Sequence, residues 1–212
     1  MRLLVFLHGV GQMPQVWQDQ VSAMPGDFRA VAPWLRGTRP GRPEPFDLDA
    51  AADDVLGILN QQGVETMALC GISAGAAVAL RAATRSPEAV SHLVLTGTQI
   101  VTPSASALRA QRLALRFTPT RMLRSRGIDK QRTMDTLAHL EELDIDAGLD
   151  TVTARTLIVT GDQDRPALEA ASDLAERLAD ARLEVVEGSG ADVPVQQPAA
   201  FNDLLYGFLA QG

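Results

Sequence analysis

The chain carries one cysteine, Cys70, among its 212 residues. An intrachain disulfide is therefore excluded, and no Cys/His cluster stands at metal-ligand spacing. A cytoplasmic protein that uses neither metal nor cofactor is the expectation. No apolar run approaches the roughly 20 residues of a membrane-spanning helix. The opening Met1-Arg2-Leu3-Leu4-Val5-Phe6-Leu7 runs directly into His8-Gly9 without a small-residue cleavage site, so it reads as a strand, not a signal peptide. Positive charge is in deficit: 19 Lys and Arg against 26 Asp and Glu leave a net charge of −7, which argues against nucleic acid as a partner. Lys130 is the only lysine, a compositional bias without functional content. Histidine is scarce too, limited to His8, His92 and His139. That scarcity bears directly on the chemistry.

What is present suits one soluble domain. The length allows a single core with a small insertion, and 46% of residues are hydrophobic at a mean hydropathy of +0.02. Strand-length apolar runs recur at residues 3–7, 29–32, 66–70, 92–96, 156–160 and 182–186. Helix-like segments lie between most of them, at 48–61, 74–84, 167–179 and 198–209. Continuous hydrophobicity fits strands buried on both faces, and strand–helix repetition implies a parallel sheet. The expected fold is α/β: a three-layer sandwich with a mostly parallel, six-stranded sheet.

One region breaks the alternation. Residues 101–150 hold no strand-like run, only helical patterns at 104–117, 121–126 and 130–143, and are expected to form a helical lid. From Arg109 to Arg132 this region has eight basic residues and one acid, Asp129. The six arginines at 109, 112, 116, 121, 124 and 126 read first as solvated surface. A carboxylate-bearing substrate is the functional alternative.

Gly71-Ile72-Ser73-Ala74-Gly75 follows an apolar run and opens an Ala-rich helix. A G-x-S-x-G between strand and helix turns the chain so sharply that the serine hydroxyl stands exposed, while the helix N-terminus aims N–H groups at a developing oxyanion. His8-Gly9-Val10-Gly11 closes the first strand, placing the Val10 N–H as a second donor beside that of Ala74. His8 reads as a structural hydrogen-bonder. The run 156–160 delivers Gly161-Asp162-Gln163-Asp164 to the same sheet edge, where a carboxylate can fix a histidine's tautomer. Asp162 and Asp164 compete for that role, and Asp162 is placed to hold the turn through its own backbone. A base should follow the last strand, in Gly188-Ser189-Gly190-Ala191-Asp192. No histidine is there.

Together these segments resemble the serine-nucleophile α/β-hydrolases, esterase-like members with a small helical lid. The likeness spans nearly the whole chain. His8-Gly9-Val10 with Trp17 is similar to the family's oxyanion loop, Leu35-Arg36-Gly37 to the loop after its next strand, Gly71–Gly75 to its elbow, and Gly161–Asp164 to its G-x-x-D acid loop. The resemblance implies Ser73 as nucleophile, Asp164 as acid, and Val10 and Ala74 as oxyanion donors. Gly188-Ser189-Gly190-Ala191 followed by Gln197-Pro198 is similar to the segment bearing the catalytic histidine, which places Ala191 where that histidine belongs. The chain also starts on the strand that usually comes third, so a minimal member is expected.

The implied activity is hydrolysis of a carboxylic ester, lactone or thioester through an acyl-enzyme, on a small-molecule acyl substrate. An aspartate at the elbow would have indicated dehalogenase or epoxide-hydrolase chemistry. Three origins of Ala191 stand open: an inactivated variant of a hydrolase, a natural loss of catalysis leaving a small-molecule-binding protein, or transfer of the base role to another group. The first is preferred, because elbow, oxyanion loop and acid persist around a single loss. Asp192 is disfavoured as a substitute, since neighbouring residues usually point in different directions.

Overall fold

The structure, a computed structural model, describes residues 1–42, 44–98, 113–124, 129–142 and 147–211; the side chains of residues 124 and 140–142 are not described. Residues 104–112 of the helix expected at 104–117 and the arginines at 109, 112 and 126 fall outside these residues, as does the side chain of Arg124; residues 113–117 are helical.

Six strands form one sheet: β1 (Arg2–Leu7), β2 (Phe28–Val31), β3 (Met67–Ile72), β4 (Val90–Thr96), β5 (Arg155–Gly161) and β6 (Ala181–Val186). Their order is β2-β1-β3-β4-β5-β6. Every pairing is parallel, so the sheet is more uniform than the mostly parallel one expected. Both faces are covered, which is why these strands read as unbroken hydrophobic runs. Leu3, Val5, Leu7, Leu69, Leu93 and Leu95 pack on one side with helices α2 (Leu48–Gln62) and α3 (Ala74–Arg85). Leu4, Phe6, Cys70, Val94, Leu157 and Val159 face the other side, against Trp17 and the Phe201, Leu205 and Phe208 of the last helix.

The sequence pattern does not reveal α1 (Gln18–Ser22), too short to show a period. It holds a later short helical turn through buried Gln20, whose Nε2 donates to the Pro194 carbonyl at 3.2 Å. Between β4 and β5 the described residues contain α4 (Thr120–Arg124), α5 (Lys130–Glu142) and no strand. After β5 come α6 (Arg165–Arg177), then, beyond β6, α7 (Val193–Gln196) and α8 (Pro198–Leu209). Helix α5 is pinned over the loop after β2: Arg132 donates to the carbonyls of Gly37 and Arg39, at 3.4 and 2.8 Å, and to that of Arg42. No helix among the described residues is long and apolar enough to cross a membrane.

The strand order departs in opposite directions from β1 and β3, which pair with Leu7 beside Gly71. Chain segments leaving their carboxyl ends diverge there and open a crevice.

Candidate active site

Ser73 sits at that crevice, between the end of β3 and the start of α3. Its backbone has φ 57° and ψ −118°; among the described residues it is the one non-glycine with positive φ. Such a conformation costs about 1–3 kcal/mol and persists only where the surroundings impose it. Two flanking glycines do so. A Cβ on Gly71 would lie 2.4 Å from the Gly75 carbonyl oxygen, and one on Gly75 would lie 2.0 Å from that of Leu7. These are backbone-to-backbone approaches that no side-chain adjustment relieves. The Ser73 N–H donates to the Thr96 carbonyl at 3.0 Å, and its carbonyl accepts from Ala76 and Ala77. Ala74, the first residue of α3, has an N–H with no intrahelical acceptor.

The loop after β1 forms the facing wall. Gln12 N–H closes a turn onto the Gly9 carbonyl at 3.2 Å, with Val10 and Gly11 at its tip. Gln12 Oε1 accepts from the Gly9 N–H at 2.9 Å. Gly9 lies directly against Ser73: a Cβ there would be 3.1 Å from Ser73 Cβ. His8 is wholly buried behind this loop. Its Nε2 accepts from the Leu35 N–H at 3.2 Å, so the ring proton belongs on Nδ1, which meets the Gly9 carbonyl at 3.0 Å. Desolvation pushes its pKa down. His8 thus ties two loops together as a neutral imidazole, in line with its structural reading.

Position 191 reaches the same place by way of β4. Thr96 Oγ1 donates to the Ala191 carbonyl at 3.0 Å while the Thr96 carbonyl holds the Ser73 N–H. The loop is also locked to β5. The Gln163 N–H donates to the Ser189 carbonyl at 2.9 Å, and Ser189 Oγ and Gly190 N–H both donate to Gln196 Oε1. Asp162 does not hold its own turn as expected; its Oδ1 accepts from the Gly188 N–H in the neighbouring loop at 2.8 Å. Asp164 caps α6, Oδ1 accepting from the Ala167 N–H at 3.1 Å. Oδ2 of Asp164 has no partner among the described residues.

The other histidines lie elsewhere. His92 is at the opposite end of β4, edge-on to Phe208, and His139 packs edge-on to Phe46. Cys70 is fully buried within β3, its thiol pushed up by desolvation. A cleft beside the site is lined by Val10, Gln12, Trp34 and Thr38 and by Arg132 and Thr136 of α5. Arg116 and Arg121 are exposed.

A doubly covered parallel sheet with a strained serine between strand and helix, facing a glycine-containing loop, defines the class of α/β proteins built around a nucleophile elbow. The family model described as Alpha/beta hydrolase family matches residues 4–204, and the chain belongs to that family. It is 25% identical over 228 residues to 3-oxoadipate enol-lactonase 2 of Acinetobacter baylyi, covering 94% of this chain and 85% of that one. A shorter match, 39% identical over 95 residues, is to a pimeloyl-acyl-carrier-protein methyl ester esterase of Aromatoleum aromaticum; it covers 45% of this chain and 36% of that protein. The fold superposes on Est816, an N-acyl homoserine lactone degrading enzyme, with a TM-score of 0.80 at 21% identity, covering 98% of this chain and 93% of the other. These relatives are hydrolases.

Proposed function

We propose that this protein is a serine hydrolase of carboxylic esters, lactones or thioesters whose turnover is strongly impaired because Ala191 stands where a general-base histidine belongs. The observation that carries the reading is the strained Ser73 backbone, wedged between two glycines that only a close backbone approach requires. In this mechanism Ser73 Oγ attacks the acyl carbonyl, and the N–H groups of Val10 and Ala74 hold the oxyanion. Asp164 supplies the acid, its Oδ2 available to a histidine at position 191. The acyl-enzyme is then cleaved by water. The reading calls for no cofactor. Arg116 and Arg121 are exposed, as solvated surface would be, so the substrate proposed is a small acyl molecule with or without a carboxylate.

Loss of a nucleophile or base in such a triad costs on the order of a million-fold in turnover. Ala191→His should therefore raise hydrolysis of chromogenic esters and thioesters by at least about two to three orders of magnitude, the ordinary worth of a general base. Ser73→Ala should abolish the gain. Equal rates for the parent and Ala191→His across a broad acyl panel would defeat the reading. Ala191 itself favours a second one, a small-molecule-binding protein on a hydrolase fold. Tight ligand binding without turnover, even after histidine is supplied at 191, would establish it.

A further inference from the structure

We infer that Asp192 is the proton acceptor for Ser73 in this chain, a carboxylate acting from the position next to the family's missing imidazole. The inference rests on the Ser73 reading and goes beyond it, assigning the turnover that Ala191 leaves behind.

The carboxylate points inward. Asp192 Oδ1 is buried with no hydrogen-bond partner among the described residues. Its other oxygen, Oδ2, accepts from Gln12 Nε2 at 3.3 Å. Gln12 Oε1 in turn holds the Gly9 N–H at 2.9 Å, and Gly9 lies against Ser73 Cβ. A chain of contacts thus runs from Asp192 through the Gln12 amide to the wall of the nucleophile. The backbone supplies a second tie: Thr96 holds the Ala191 carbonyl with its hydroxyl and the Ser73 N–H with its carbonyl.

A buried carboxylate oxygen left without a donor is costly, and such groups concentrate where function uses them. The methyl of Ala191 neither competes for a proton nor fills the volume of an imidazole. Gln12 acts here as a positioning residue. It anchors one oxygen and leaves the other with its lone pairs unused.

Burial pushes the Asp192 carboxyl above its usual range, partly opposed by the Gln12 hydrogen bond; no charged side chain among the described residues contributes. A more basic carboxylate is the better acceptor. In the acylation step the Ser73 Oγ–H proton passes to Asp192 as the Oγ–C bond forms and the carbonyl electron pair moves onto oxygen. The tetrahedral adduct collapses, the ester C–O bond breaks, and the departing alkoxide takes that proton from Asp192. Water then repeats the sequence, giving a proton to Asp192 and its oxygen to the acyl carbon. Ser73 leaves with the proton.

The test uses the full chain and 4-nitrophenyl acetate, with acetylation of Ser73 followed by peptide mass. Asp192→Asn keeps the side-chain shape, and thermal melting checks that it folds. It should slow Ser73 acetylation about a hundredfold. It should also change the pH profile from one that levels off above the carboxyl titration to one that climbs with hydroxide. Asp192→Glu, which retains a carboxylate, should recover part of the rate. An Asp192→Asn protein that acetylates at the parent rate with the parent profile would overturn the inference. So would acetylation of Ser73 in Ala191→His but not in the parent, a result that leaves the hydrolase reading intact. Absence of acetylation in both would refute that reading and the inference with it. Should Asp192→Asn not fold, a parent profile without a carboxyl plateau refutes the inference.

Discussion

Gly161→Ala should loosen the candidate site from a position that carries no chemistry. Gly161 ends β5, and an added Cβ would lie 1.9 Å from the Ser189 carbonyl oxygen and 2.4 Å from that of Gly190. To reach even 3.0 Å, the tightest separation real Cβ atoms show, the Ser189 carbonyl must retreat by about 1.1 Å. Both sides of the clash are backbone, so the loop from Gly188 to Ala191 must move as a unit. That motion strains the Gln163 N–H bond to Ser189 and the Gly188 N–H bond to Asp162. Overpacking of this kind costs about 1–3 kcal/mol, and one weakened hydrogen bond adds about 1. At roughly 2–4 °C per kcal/mol for a domain of this size, the melting temperature should fall by about 5–15 °C. In the Ala191→His background the same shift displaces the base, and turnover should drop about a hundredfold. Gly57→Ala is the control. Nothing lies within 4 Å of a Cβ there, and alanine inside α2 should stabilise by up to about 1 kcal/mol. A Gly161→Ala protein that melts within about 2 °C of the parent and keeps the Ala191→His rate would refute the argument.

Three further outcomes are expected. In the Ala191→His protein, Asp164→Asn should cut turnover about ten-thousand-fold by favouring the wrong imidazole tautomer. It should leave the melting temperature nearly unchanged, because asparagine caps α6 as well as aspartate does. Asp162→Asn should instead cost about 1 kcal/mol by weakening the bond to Gly188, with little effect on rate; the reverse ranking would show that the carboxylates are misassigned. The parent should lose stability as pH falls below 6.5, the ordinary value for histidine. His8 is neutral and depressed in the fold, so the unfolded chain takes up the proton first; melting curves of His8→Asn should show a shallower acid slope. Thr96→Val should lower stability by about 1 kcal/mol and, with histidine at 191, slow turnover about tenfold or more, both read from the same melts and ester assays.

The sheet was legible because strands buried on both faces leave no polar positions, and the six expected runs fall within about two residues of the observed strands. The elbow was legible for a different reason: two glycines four residues apart around a serine, between a strand and a helix, match the one turn sharp enough to need both. The long-range hydrogen bonds of the site left no such trace. Asp162 meets a partner 26 residues away and Gln12 meets Asp192 across 180 residues, pairings fixed only by strand register. The case against Asp192 as a base was that neighbouring side chains usually point in different directions, an alternation strictest in extended strands. Asp192 has φ −95° and ψ 52° in a loop, where that alternation does not hold.

Thr96 has an evolutionary consequence. This one buried residue fastens both the elbow and the loop bearing position 191, and it is the last residue of β4. Everything between it and β5 is downstream of the fastening. Substitutions at the exposed positions of α4 and α5 lie beyond that fastening and leave the frame around Ser73 in place, so substrate preference can drift there independently of the reaction chemistry.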